Sequence, residues 1–244
     1  MVDNSHQHNF IKEGNYYVCS CGKKLLAFEE KDGLRIGMRS NGMKYTKKAN
    51  TNRFLFPKEW AKLDSKMKPK VKHTAYCLLF SGCRINEIKQ CNLVEDFVYD
   101  KEGRSRLVIR HTKVKARKGE FRTGRVRDIP ISKKFAKYLA LYLENHPDGN
   151  LNLLTNAGFN TSFKKTAKLT GIKNPEDLSA HTLRKTLEVW LMSLGLDSLP
   201  LTAHLGHSIS TAASNYVSPD ILSWEDKKMI RYIIDNLYVD MCKL

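Results

Sequence analysis

The sequence predicts a mainly α-helical body that carries one small antiparallel β-hairpin or sheet, an α+β arrangement, with a short strand-like module ahead of it. Three observations predict it. After Pro57 the apolar residues recur mostly at helical spacing, as Leu183, Leu187, Trp190, Leu191 and Leu194 do. Two short runs rich in β-branched residues, 106–109 and 125–131, interrupt that pattern and are joined by a long basic loop. The first 54 residues lack the helical period and carry turn signals at Gly22 and Asp32-Gly33.

In order along the chain, residues 16–19, 25–28 and 34–38 read as strands. Segment 40–52 has Lys, Asn and Gly but no apolar period, and reads as a linker or exposed loop. Pro57 opens a helix over 57–63, because first-turn amides lack partners and proline removes one at no cost. Helices resume after the hairpin at 133–145, capped by Ser132, then at 159–169, and at 180–194, capped by Ser179. Ser210 caps a short helix leading to Tyr216, and 221–241 forms the last one. The expected division is a module at 1–54 and a body at 55–244.

Composition narrows the function. The 244 residues are 41% hydrophobic and 9% aromatic, enough for a real core, which excludes a wholly disordered chain. No apolar run approaches the roughly 18 residues of a membrane span, and the polar start is no signal peptide, so no membrane partner is expected. Six cysteines are too few for a disulfide scaffold and point to a reducing, intracellular and cytoplasmic setting.

Charge is uneven. The net charge is +17. Residues 31–72 hold 13 Lys and Arg against three acids, residues 101–128 hold 11 against three, and the remainder is close to balanced. Two basic belts on a balanced body are a footprint for a polyanion, and double-stranded nucleic acid is the partner they favour. The hairpin belt supplies the contact candidates Arg104, Lys115, Arg117, Lys118, Arg122 and Arg125.

Phosphodiester chemistry without a metal needs a nucleophile, cations to neutralise a pentacoordinate transition state, and an acid for the leaving oxygen. Arginine suits the clamp because its planar fork holds two phosphate oxygens at once. The chain offers such a set in order. Arg84 lies just past Gly82, Lys113 lies in the basic hairpin, His181 and Arg184 share a helix face, His207 follows Leu205-Gly206, and Tyr216 comes after it.

These motifs together resemble the tyrosine recombinase, or phage integrase, family. Ser81-Gly82-Cys83-Arg84-Ile85-Asn86-Glu87 is similar to its first arginine motif, with Cys83 where leucine is commoner. His181-Thr182-Leu183-Arg184 resembles its His-x-x-Arg motif, and Leu205-Gly206-His207-Ser208 with Tyr216 its nucleophile region. The resemblance implies that Tyr216 attacks the scissile phosphate, leaving a 3′-phosphotyrosyl link and a free 5′-hydroxyl. Arg84 and Arg184 would clamp the non-bridging oxygens, Lys113 would protonate the leaving oxygen, His181 would serve Tyr216 in proton transfer, and His207 would hydrogen-bond the phosphate. It further implies no ATP and no cofactor, specific recombination sites on DNA, and a tetramer that exchanges the segment 221–244. A virus, plasmid or other mobile element is the implied source of such a chain.

Alternatives stand beside several assignments. Lys115 rivals Lys113 as the acid, Arg184 could be a helix-surface partner of Glu188, and Glu87 could be a plain surface residue or could orient Arg84. His204 reads as packing or support. A non-catalytic DNA-binding regulator and a type IB topoisomerase are the rival functions. In the first module His6, His8, Cys19 and Cys21 form two ligand-like pairs, but their spacing is tighter than that of usual zinc pairs, and no metal is assigned.

Overall fold

The computed structural model describes residues 10–13, 16–19, 24–26, 29–31, 34–38, 44–47, 53–110, 126–206 and 221–239. The chain divides into two compact units, Met1–Thr51 and Asn52–Leu244, against an expected boundary after residue 54.

The first unit holds two three-stranded antiparallel sheets. Strands β1 (Phe10–Glu13), β2 (Tyr16–Cys19) and β3 (Lys24–Leu26) form one, and β4 (Glu29–Lys31), β5 (Leu34–Met38) and β6 (Lys44–Lys47) the other. The expected linker at 40–52 therefore contains a strand, with Tyr45 opposite Gly37 and Lys44 opposite Met38. Strand pairing satisfies backbone groups and needs no apolar face, so a polar segment gave no periodicity to read.

In the second unit, α1 (Pro57–Lys66) and α2 (Pro69–Ser81) both begin with proline in the first turn. Helix α2 stops at Gly82, whose φ of +63° suits glycine. A side chain there would also meet the Cδ2 atoms of Leu187 and Leu205 at 2.9 Å. Short helices α3 (Ile85–Ile88) and α4 (Leu93–Asp96) follow, the latter capped by the Asn92 side chain accepting from Val94 N at 2.9 Å. Strands β7 (Phe97–Val98), β8 (Arg106–Ile109) and β9 (Arg127–Pro130) form an antiparallel sheet in that order, with buried Leu107 opposite buried Ile129. The hairpin thus gains a third strand, which at two residues is too short to leave a periodic signal.

Helices α5 (Lys133–Asn145), α6 (Asn156–Leu169), α7 (Ala180–Ser193) and α8 (Ser198–Leu205) build the remaining body, with α9 (Trp224–Ile234) last. Ser132 caps α5 as expected, accepting from Phe135 N at 3.2 Å. Helix α6 starts three residues earlier than expected, because Thr155 caps it by accepting from Gly158 N at 3.1 Å. The last helix ends at Ile234 rather than running to 241. Asp235 has a φ of +56° and its carboxylate accepts from Lys134 N at 3.0 Å, while Asn236 accepts from Lys133 N at 2.8 Å. These side chains cap α5 from outside, and that competition stops α9.

Helix α7 runs through the core. Leu183, Leu187, Trp190 and Leu191 are fully buried, each leucine contributing about 1.5–3 kcal/mol by leaving water. Trp190 donates its indole N–H to Leu55 O at 3.0 Å, and Leu55 N donates to Thr186 Oγ1 at 2.9 Å. Chain entering α1 is thereby tied to α7, while α7 packs along α2. Among the described residues no helix is long and apolar enough to cross a membrane.

Candidate active site

Four chain segments deliver the site: the turn after α2, the start of α3, the middle of α7, and the end of α8 with β9 beside it. Gly82 turns the chain so that Arg84 becomes the residue capping α3, with extended backbone at φ −70° and ψ 147°. Glu87, one turn on, is buried. Its Oε1 accepts from Arg84 Nη1 at 2.6 Å and its Oε2 from Arg84 N at 3.1 Å. Glu87 therefore orients Arg84 and is no surface residue.

Arg184 is 3% exposed, so it is not the helix-surface partner of Glu188. Its Nη1 donates to Gly82 O at 2.9 Å and its Nη2 to Leu205 O at 2.5 Å. Glu188 lies instead 3.3 Å from Lys185 Nζ. Arg184 thus staples the end of α2 to the end of α8 through main-chain carbonyls, a bond type that charge strengthens. Burial, and then the charge of Arg84, bring its pKa down to about 10. Arg84 keeps 40% of its side chain exposed, so one arginine braces the frame while the other meets solvent. His181 is exposed on α7, and does not share the buried face of Arg184 as the helical spacing suggested.

Arg127 of β9 belongs to none of the motifs read from the sequence. Its Nη2 donates to Glu87 Oε2 at 2.7 Å and its Nη1 to His204 O at 2.9 Å. Strand alternation was the available signal, since Arg127 lies two residues from inward-facing Ile129. Burial disfavours the Glu87 carboxylate, but Arg127 and the hydrogen bonds and charge of Arg84 outweigh it and hold its pKa below the usual range. Three guanidiniums around one carboxylate leave excess positive charge next to exposed Arg84, an arrangement whose field favours an anion there.

His204 is fully enclosed beneath this cluster. Its Nε2 donates to Ser81 O at 2.9 Å, which leaves Nδ1 to accept from the Tyr238 hydroxyl at 3.1 Å. Burial pushes its pKa down to about 4, with the charges of Arg127 and Arg184 adding to the shift. The folded form resists a proton that the unfolded chain accepts near 6.5, so this stability is full above pH 6.5 and is lost as pH falls toward 4. Urea unfolding from pH 7 to pH 4 is expected to show a loss of roughly 3 kcal/mol that a His204→Gln variant lacks. Equal slopes for the two proteins would count against this assignment. Cys83, between these groups, has its thiol pushed up to about 11 by burial, which keeps it neutral.

Arg104 is exposed, with its guanidinium against Asp100 at 3.1 Å and Glu102 at 2.5 Å. Lys113, His207 and Tyr216 lie outside the described residues, as do Lys115, Arg117, Lys118, Arg122 and Arg125. So do His6, His8 and Cys21, and only the backbone of Cys19 is described, in β2. Among the described residues no group of three or more His, Cys, Asp or Glu side chains is placed to hold a metal ion.

The structure is thus a helical body with a small antiparallel sheet, presenting one exposed arginine braced beside a buried one. Residues 53–221 match the model of the phage integrase family, and the chain belongs to that family. Among solved structures it is similar to XerH site-specific recombinase bound to difH substrate in a pre-cleavage complex, with 18% identity over 73% of this chain and 55% of that one, and a TM-score of 0.53. XerA recombinase matches at 18% identity over 74% of this chain and 62% of that one, with a TM-score of 0.51. The Tn1549 transposon integrase in complex with transposon right end DNA matches at 19% identity, over 80% and 69% of the two chains, with a TM-score of 0.50. The chain thus spans 55% and 62% of the two Xer chains, and at these identities the likeness is one of fold. No curated protein matches it.

Proposed function

We propose that this chain is a site-specific DNA recombinase that cleaves and rejoins DNA through a 3′-phosphotyrosyl intermediate on Tyr216, serving a mobile element from inside the cell. The observation that supports the reading is solvent-facing Arg84 with the charge of buried Arg184 close enough to act on it, while Arg184 itself holds Gly82 O at 2.9 Å. Arg84 meets the non-bridging oxygens, and Arg184 lends its charge from behind while holding the turns that shape the cradle. Lys113 protonates the leaving 5′-oxygen, His181 assists Tyr216, and His207 hydrogen-bonds the phosphate. Residues 55–244 form the catalytic unit and 1–54 an accessory one. Duplex DNA is the partner, and copies of the chain assemble as a tetramer through 221–244. Family membership and the similarity to structures solved with DNA support this reading.

The test is covalent capture without metal. The chain is incubated with nicked duplexes of randomised sequence, denatured, and the attached DNA sequenced. An adduct on one core sequence supports a recombinase, and adducts on random sequence with relaxed circles as sole product support a topoisomerase. DNA binding without any adduct sinks the enzyme reading and leaves a DNA-binding regulator.

The basic loop gives a further expected result. Neutralising Arg117 or Arg122 to Gln is expected to weaken binding to any duplex and to flatten its salt dependence, by about 0.9 in log–log slope for each phosphate no longer neutralised. Arg104→Gln is expected to change the slope far less, because Asp100 and Glu102 already balance that charge. Fluorescence anisotropy across a salt series reads both, and a slope equally sensitive to Arg104 would contradict the distinction.

A further inference from the structure

We infer that Arg127 is a positioning residue for Arg84, clasping Glu87 from strand β9 while it fixes the turn at the end of α8. The inference rests on the phosphoryl-transfer reading above and adds a residue to that same site.

Arg127 is the one described group that touches both halves of the arginine pair's support. Through Nη2 it meets the same Glu87 carboxylate that orients Arg84, at 2.7 Å. Through Nη1 it meets His204 O, at 2.9 Å, the carbonyl next to the Leu205 O held by Arg184. Gly206 lies flat against it, with φ +67°, and a side chain there would come within 2.5 Å of Arg127 Nη1. The α8 terminus is shaped around the guanidinium. Among the described residues its buried Nε has no hydrogen-bond partner, a cost that its two Nη bonds have to offset. What the placement achieves is a rigid link: β9 belongs to the hairpin sheet, so a shift of that sheet moves Glu87 and with it Arg84.

A lysine cannot do the same. Its single ammonium replaces the charge but not the fork, and cannot span Glu87 Oε2 and His204 O in fixed geometry. Among the described residues the charged or titratable groups around Glu87 are Arg84 and Cys83 by α3, Arg127 of β9 and Arg184 of α7. Removing Arg127 from that set lets the Glu87 pKa rise.

The test uses Arg127→Lys and Arg127→Leu in the full chain. Guanidinium ¹⁵N–¹H spectra are expected to show Arg84 resonances held by Glu87 in the native protein and averaged by free rotation in both variants, while those of Arg184 persist. Unchanged Arg84 resonances in Arg127→Lys would overturn the inference, as would joint loss of Arg84 and Arg184, the mark of general loosening. In the capture assay the lysine variant is expected to form adduct about 100-fold more slowly at unchanged DNA affinity, the usual penalty for a misplacement near 1 Å. In Arg127→Leu, which removes the charge, the acid limb is expected to move to higher pH as Glu87 takes up protons earlier. Parallel loss of affinity and rate in the lysine variant, or a fixed acid limb in the leucine variant, would also overturn it. A native chain that makes no adduct counts against the phosphoryl-transfer reading alone, and the Arg84 resonances still decide the role of Arg127.

Discussion

Arg184→Leu is expected to cost the helical body about 3–5 kcal/mol, the largest stability loss of any single substitution at the site. Leucine removes the buried charge, yet the partners of Arg184 cannot be exchanged along with it, because they are the main-chain carbonyls of Gly82 and Leu205. Each is left without its donor in a dry place, at about 1–3 kcal/mol apiece. Relief from burying a guanidinium returns part of that, since desolvating Arg184 is costly enough to bring its pKa down to about 10. Arg184→Lys, which reaches one carbonyl but not both, is expected to lose about half as much. Urea denaturation of the three proteins measures it. A loss below about 1 kcal/mol for the leucine variant would mean that the staple contributes little and the apolar face of α7 alone sets the frame.

Tyr216→Phe is expected to abolish covalent capture while leaving duplex affinity unchanged. Phenylalanine keeps the ring and removes the one oxygen that the proposed attack requires, so no slower route to the same bond exists. Anisotropy titration and denaturing electrophoresis on the same samples separate the two quantities. An adduct that survives the change would place the nucleophile elsewhere, and mass spectrometry of the DNA-linked peptide would show where. Together the two substitutions divide the site into a frame and a reacting group. The first moves stability and rate, the second rate alone.

Much of the frame is legible in the amino-acid order. Helix α5 begins and ends where Ser132 and the apolar spacing put it, and Gly82 marks the turn that delivers Arg84. These are local features, written in caps, turns and periods. The less legible features depend on contacts between distant segments. Helical spacing set His181 and Arg184 near one another, but only packing against the ends of α2 and α8 decides that Arg184 is buried and His181 exposed. Glu87 read equally well as a surface residue, because its three nitrogen partners come from Arg84 beside it and from Arg127 on β9. Asp235 and Asn236 cap a helix a hundred residues away, so the apolar period of α9 carried no sign that it stops at Ile234.

The spacing of those partners along the chain has a kinetic side. Ser81 O waits for His204, Gly82 O for Arg184, Leu55 O for Trp190, and His204 in turn for Tyr238. Loops of this length close slowly, since the entropy of joining their ends is spent before any bond forms. During synthesis the first arginine motif therefore leaves the ribosome with its supporting carbonyls unmet, and it stays so until α7 and α8 arrive. The network around His204 is finished only when Tyr238 joins it. A nascent chain therefore carries its basic belts before the proposed phosphate clamp is assembled.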